Sequence, residues 1–177
     1  MELLSPEQWA ELLGSCRNSA FHLEMRDSYS AADEKDRFDR FLATGRRDHA
    51  AEAAERQEWL DVIRRITGAG VQVRRARVVS EPVSDYIRFE WHGAGPSIEA
   101  GEQLRWLPRR LASAVALPGN DFWLLDERTA MFNYFSGDGV PLGQEVTQDP
   151  AAVALCRAAF NSVWERAVPH GQYTIGG

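Results

Sequence analysis

Cysteine is nearly absent from these 177 residues. Cys16 and Cys156 stand far apart and form no C-x-x-C pair, so the chain carries neither a disulfide framework nor a zinc site of the usual spacing. Lysine is scarcer still: of the 20 basic residues only Lys35 is a lysine, and the rest are arginine. No apolar run approaches the roughly 18 residues that span a bilayer. The stretch Met1-Glu2-Leu3-Leu4-Ser5-Pro6 has neither the basic start nor the apolar segment of a signal peptide, so a cytoplasmic protein without a membrane partner is expected. Positive charge is short as well, with a net charge of -6. Proteins that live on phosphate backbones carry a basic balance, so direct nucleic-acid binding is not expected. G-x-S-x-G, P-loop and G-x-G-x-x-G patterns are all missing, which removes the common nucleophile-elbow and nucleotide-cradle chemistries.

What is present describes one globular domain, 44% hydrophobic and 26% charged. Ser5-Pro6-Glu7-Gln8 has the form of a capping box and predicts a short helix burying Trp9, Leu12 and Leu13 up to Gly14. Residues 21–26 alternate apolar and polar, which predicts a strand with His22 on its solvent face. Phe38, Phe41 and Leu42 mark a helix within 31–42 closed by Gly45. Trp59, Val62, Ile63 and Ile66 form one face of a longer helix over 48–67, its first half exposed. After the break at 68–70, the β-branched run 71–79 reads as a strand. Pro82 then opens a helix with Val83, Tyr86, Ile87 and Trp91 inward, and 93–96 reads as a loop. Strands over 104–107, 122–125, 130–135 and 142–146 follow, the middle pair joined by the turn Asp126-Glu127-Arg128-Thr129. Asp149-Pro150 caps a last helix that buries Val153, Leu155, Phe160, Val163 and Trp164. A parallel start followed by an antiparallel meander gives an α+β fold, a mixed sheet flanked by helices. It is read as a single domain, 1–177. Its mainly helical part, 1–67, packs on a mixed-sheet unit at 71–167.

The arginines are the first candidates for a site. Arg74, Arg75 and Arg77 fall on one strand, where alternation puts Arg75 and Arg77 on one face and Arg74 on the other. With Arg105 from a neighbouring strand they make an anion- or partner-binding face. The alternative is a set of internal ion pairs with Glu81, Asp85, Glu90 and Glu102. Asp121, Asp126 and Glu127 bracket an aromatic strand, as an acid–base or metal-holding pair would. As plain structure, Asp121 starts the strand and Asp126 and Glu127 make its turn. Phe89 and Trp106 each fall among arginines and glutamates, so they read as pocket walls as well as core. His22, His49, His92 and His170 have no partners at metal-ligand spacing. No catalytic residue, metal site or cofactor is expected.

Two resemblances bear on function. The motifs Phe21-His22-Leu23-Glu24, Val73-Arg74-Arg75, Val78-Val79-Ser80-Glu81-Pro82, Asp121-Phe122-Trp123-Leu124-Leu125-Asp126 and Ala167-Val168-Pro169, in that order, resemble an actinobacterial family of unknown function whose members are encoded near helix-turn-helix regulators. From Val71 onward, the element order resembles one half of a phospholipase D-type domain. There a hairpin carries His-x-Lys-x-x-x-x-Asp and the last helix ends in Trp-x-x-Ala; Trp164-Glu165-Arg166-Ala167 has that ending. With Asp126 at the motif aspartate, the lysine position holds Asp121 and the histidine position Gly119. Glycine cannot attack phosphorus and aspartate repels the phosphoryl oxygens, so the resemblance implies a phospholipase D-like half with a dead centre. The implied function is that of a non-catalytic accessory or regulatory protein acting through a protein partner, a helix-turn-helix regulator foremost, with a homodimer also compatible. The alternative is a small-molecule or anion-binding protein, or an enzyme of unfamiliar type, using the arginine-rich aromatic pocket. A convergent pocket at Arg75, Arg77, Arg105 and the aspartates favours the alternative, and a flat, partly apolar patch favours the partner.

Overall fold

The computed structural model describes residues 3–176, so Met1 and Glu2 of the N-terminal stretch read above lie outside the described residues. Strand β1 (Ser19–Glu24) is the hub of the sheet. It pairs in parallel with β2 (Gln72–Val79), which pairs in parallel with β3 (Gln103–Pro108). On its other side β1 meets β4 (Asp121–Leu125) antiparallel, and β5 (Thr129–Phe135) and β6 (Pro141–Thr147) continue a meander. A two-residue strand, β7 (Val168–Pro169), pairs antiparallel with β3. The order across the sheet is β6-β5-β4-β1-β2-β3-β7. The expected mixed sheet is therefore present, but 71–167 is not a sheet by itself: β1 joins its parallel and antiparallel halves.

Helices cover both faces. α6 (Pro150–Arg166) lies on one, where Phe21, Leu23, Val78, Phe122, Leu124 and Phe160 form an apolar core. α1 (Pro6–Gly14), α2 (Lys35–Thr44), α3 (His49–Gly68), α4 (Asp85–Gly93) and α5 (Gly95–Glu99) lie on the other. Local chemistry sets the starts of these helices. The Ser5 hydroxyl accepts from the Gln8 N–H at 3.3 Å while the Gln8 side chain accepts from the Ser5 N–H at 2.7 Å, the capping box read from the sequence. Asp48, Ser84 and Asp149 cap α3, α4 and α6 by accepting from the N–H groups of Ala51, Ile87 and Ala152. Gly45 ends α2 at φ 67, a left-handed cap that costs glycine little.

Several local expectations are corrected. Pro82 lies in the loop ahead of α4, because Ser84 supplies the cap that starts the helix. Part of the expected loop at 93–96 is the start of α5. Leu155 is exposed and Trp164 and Trp91 are only half-buried, since each sits at the margin of its helix's covered stripe. Phe89 is buried, one turn from Tyr86 on the face of α4 that meets the sheet. His22, expected in solvent, is 8% exposed. A central strand has helices on both faces, so its polar residues are enclosed along with its apolar ones.

Candidate functional site

Residues paired across a β-ladder share a face. The registers His22↔Arg75, Glu24↔Arg77 and Arg77↔Trp106 therefore aim all five side chains at the α1–α5 side. Two apolar clusters occupy that face. One joins α1 and α3 to Trp123 and Met131; the other joins α2 and α4 to Val79 and Trp106. Between them runs a strip of charge. Arg75 donates to Glu24 at 3.1 Å and to Glu102 at 2.8 Å. Arg77 reaches Glu24 at 3.0 Å and also bonds Glu90. Burial opposes the charge on Glu24, but Arg77 and Arg75 outweigh it and hold the carboxyl down at about 2. Burial, with Arg75 and Arg77 close by, pushes His22 down to about 3 against the pull of Glu24. His22 is thus neutral near pH 7, and its ring stacks on Trp123 at 4.2 Å.

The helices roof this strip with more charge. Arg47 bonds Glu52 at 2.9 Å, donates to the Phe89 carbonyl at 2.8 Å and lies 3.8 Å over the Phe89 ring. Its path requires a glycine: a Cβ on Gly93 would stand 2.0 Å from Arg47 Nη1. Arg56 donates to the Gly93 carbonyl at 2.9 Å and the Ser97 hydroxyl at 3.3 Å, both neutral acceptors. Burial and the neighbouring Arg47 lower its pKa. Glu34 accepts from the Tyr86 hydroxyl at 2.5 Å; burial and nearby Glu90 push its carboxyl up to about 7. A cavity of about 300 Å³ lies between roof and strip, walled by Arg37, Arg47, Arg56, Arg75 and Arg77 together with Asp33, Glu34, Glu55, Glu90 and Glu102. Arg77 is 4% exposed, and its Nη1 meets no acceptor among the described residues.

The structure brings some predicted site residues together and parts others. Arg75 and Arg77 do share a face, but it is an interior one. There they pair with Glu90 and Glu102 as the ion-pair alternative held, and with Glu24 as it did not. Glu81 and Asp85 take no part: Glu81 faces Arg110 at 3.6 Å and Tyr173 at 3.0 Å. Arg105 is corrected to the opposite face. It pairs with Ala76, donates to the Trp164 carbonyl at 2.9 Å and lies 4.4 Å over that indole, with Arg74 at 5.1 Å. Trp106 and Phe89 are core side chains beside the cavity, absent from its lining; the Trp106 Nε1 donates to His170 Nδ1 at 3.1 Å.

The two aspartates do not converge, because they sit at opposite ends of β4. Asp121 accepts from the Met25 N–H at 2.8 Å and from the Tyr29 hydroxyl, and burial together with Glu24 raises it to about 6. Asp126 accepts backbone N–H groups from Arg17 (3.0 Å), Asn18 (2.7 Å) and Ser19 (3.0 Å). These bonds anchor the entry to β1 and hold Asp126 at φ 49, next to Glu127 at φ 54, in the tight β4–β5 turn. Sequence reasoning missed Glu24, Glu34, Arg47 and Arg56. For Glu24 a signal existed, since it follows His22 by two residues on the same strand face. Arg56 lies in the half of α3 that reads as exposed and Arg47 in the link before that helix, and only tertiary packing turns them inward.

Among the described residues no group of three or more His, Cys, Asp or Glu side chains is placed to hold a metal, and no helix is long and apolar enough to cross a membrane. No curated protein matches the chain in sequence. Among solved structures it is similar to Nuc from Salmonella typhimurium, a phospholipase D family member. The TM-score is 0.50 at 11% identity, over 90% of this chain and 86% of Nuc. NucT from Helicobacter pylori (TM-score 0.48, 11% identity, 92% of this chain and 89% of NucT) and the archaeal chromatin protein TrmBL2 (0.47, 15%, 92% and 49%) are also similar. The likeness to Nuc shows a phospholipase D-like fold. It extends over most of the chain, beyond the part after Val71 that carried the resemblance in sequence. Residues 7–175 match the pattern of the family described as Domain of unknown function (DUF6879), and the chain belongs to that family.

Proposed function

We propose that this protein is a non-catalytic binding protein that takes up a small molecule bearing an anionic group, of carboxylate size, in the charged cavity. The observation that carries this reading is the buried Arg77 Nη1, a charged donor without an acceptor among the described residues, on a side chain that lines the cavity. Leaving such a donor unmet costs about 1–3 kcal/mol or more, which an incoming anion recovers. Arg56, met among the described residues only by neutral acceptors, offers a second anchor beside it. Gly119 and Asp121 at the positions of the phospholipase nucleophile and lysine support the non-catalytic half of the reading.

The test is a thermal-shift titration with succinate, inorganic phosphate and arginine as probes. Succinate or phosphate is expected to raise the melting temperature, and Arg56→Gln to abolish the rise. No response from the wild-type protein to succinate or phosphate, or a rise with arginine alone, overturns the cavity reading. Hydrolysis of a generic phosphodiester that is lost in Asp126→Ala overturns the non-catalytic one.

The second reading is an accessory or regulatory role in the cytoplasm of an actinobacterium, exerted on a protein partner such as a helix-turn-helix regulator. The observation that favours it is an acid-rimmed aromatic groove outside the cavity, between α1 and α3. Co-purification of the regulator encoded beside the gene tests this reading, and its absence from the purified complex counts against it.

A further inference from the structure

The groove between α1 and α3 has a volume of about 650 Å³ and is floored by Trp9, Trp59 and Val62. Trp9 and Trp59 both stand edge-on against Trp123, at 5.6 Å and 65° and at 6.0 Å and 71°. That shared support fixes both indoles, which stay only half-buried. The rim is of one sign. Glu7, Asp33, Glu55, Glu58 and Asp61 line it, and no basic residue does. Some of these acids are answered from outside the lining: Arg37 and Arg40 reach Glu55, and Arg64 reaches Asp61. Glu58 has no ion-pair partner among the described residues, and Glu7 accepts from the Ser5 hydroxyl and has no ion-pair partner among them either.

We infer that this groove is a docking site for a basic amphipathic segment of a partner protein, one that sets apolar side chains on the indoles and arginine or lysine against the rim. Each feature selects for that chemistry. Half-exposed indole faces attract guanidinium and ammonium groups as well as apolar side chains. A carboxylate rim favours a cationic partner by charge complementarity and repels an acidic one. It also repels phosphates, which excludes a nucleic-acid strand as the occupant. The site is distinct in ligand from the cavity, although Asp33, Glu55 and Trp59 line both. It therefore does not rest on the cavity reading.

A short synthetic amphipathic peptide with arginine and leucine on one face is the probe, and its glutamate-for-arginine counterpart is the control. The basic peptide is expected to bind the full chain with an affinity that weakens with salt, and to shift the indole N–H resonances of Trp9 and Trp59 but not those of Trp106 and Trp164. The exposed pair Glu58→Arg with Asp61→Arg is expected to lower affinity about tenfold or more while leaving the melting temperature nearly unchanged. Should that double variant fold poorly, Glu58→Gln with Asp61→Asn is expected to give a smaller loss in the same direction. Arg56→Gln is expected to leave peptide binding intact, which separates this site from the cavity. Absence of binding, equal binding of the acidic peptide, unshifted Trp9 and Trp59 signals, or undiminished affinity in both variants overturns the inference. So does displacement of the peptide by a single-stranded oligonucleotide or by self-association of the protein.

Discussion

The two faces of the sheet are built from the same strands and differ in kind. On the α6 face, Phe21, Leu23, Val78, Phe122, Leu124 and Phe160 meet with no charge among them. On the α1–α5 face, the alternate residues of those strands include His22, Glu24, Arg75, Arg77 and Asp121, set between two apolar clusters. One face does what a sheet face must: it removes apolar area from water, at about 25 cal/mol per Å². The other encloses a salt-bridge network, which contributes little net stability because desolvation offsets the attraction. A chain that needed only a second core could fill these positions with valine and leucine. Charge kept there, beside a cavity, marks the face that holds the candidate site.

The comparison can be broken most sharply by removing one large side chain from each face. Phe160→Ala is expected to cost about 3–5 kcal/mol through lost burial and a residual cavity. Arg77→Met is expected to cost a similar amount for another reason, since it leaves Glu90 without its cation and Glu24 with Arg75 alone. The two are told apart by rescue in chemical denaturation. Adding Glu24→Leu and Glu90→Leu to Arg77→Met is expected to recover most of the loss, because it removes the uncompensated carboxylates and leaves Arg75 paired with Glu102. Failure of that rescue would mean that the charges themselves hold this face together.

A pH series sharpens the contrast with a smaller effect. Glu34 has its carboxyl raised from 4.5 to about 7, so the folded protein binds its proton more tightly than the unfolded chain does. The stability associated with that proton is full below about pH 4.5 and is lost as pH rises to 7. Glu34→Gln is therefore expected to stabilise the protein above pH 7, by on the order of 2 kcal/mol, and to give no gain at pH 4. Melting temperatures of the two proteins should diverge above pH 7 and converge toward pH 4. Glu24, held at about 2, acts oppositely: its contribution is lost as pH falls from 4.5 toward 2. The smallest effect belongs to the exposed helix surface. Lys35→Ala removes a solvent-exposed pair with Asp39 and is expected to leave stability nearly unchanged in thermal melts. A larger loss would show that surface charge matters here as much as buried charge.

Much of the fold was legible because it is local. The capping box at Ser5, the cap at Asp149, the hairpin turn at Asp126 and the strand–helix alternation after Gly70 are all decided within a few residues. The candidate site was half legible. Alternation along β2 correctly paired Arg75 with Arg77, yet it could not say whether their face met solvent or helices.

The sequence by itself determined which residues share a face of each strand and where α1, α3 and α6 begin, since dihedral periodicity and capping bonds act between near neighbours. Only the tertiary structure decided what each face meets. Register placed Arg105 with Arg74 and away from Arg77, because a neighbouring strand chooses its pairing by contacts far away in sequence. Five helices closing over β1 and β2 put His22 and Glu24 indoors, and the turn between α2 and α3 carried Arg47 across to Phe89 and Gly93. Burial of this kind is a property of the assembled layers, and no local pattern encodes it.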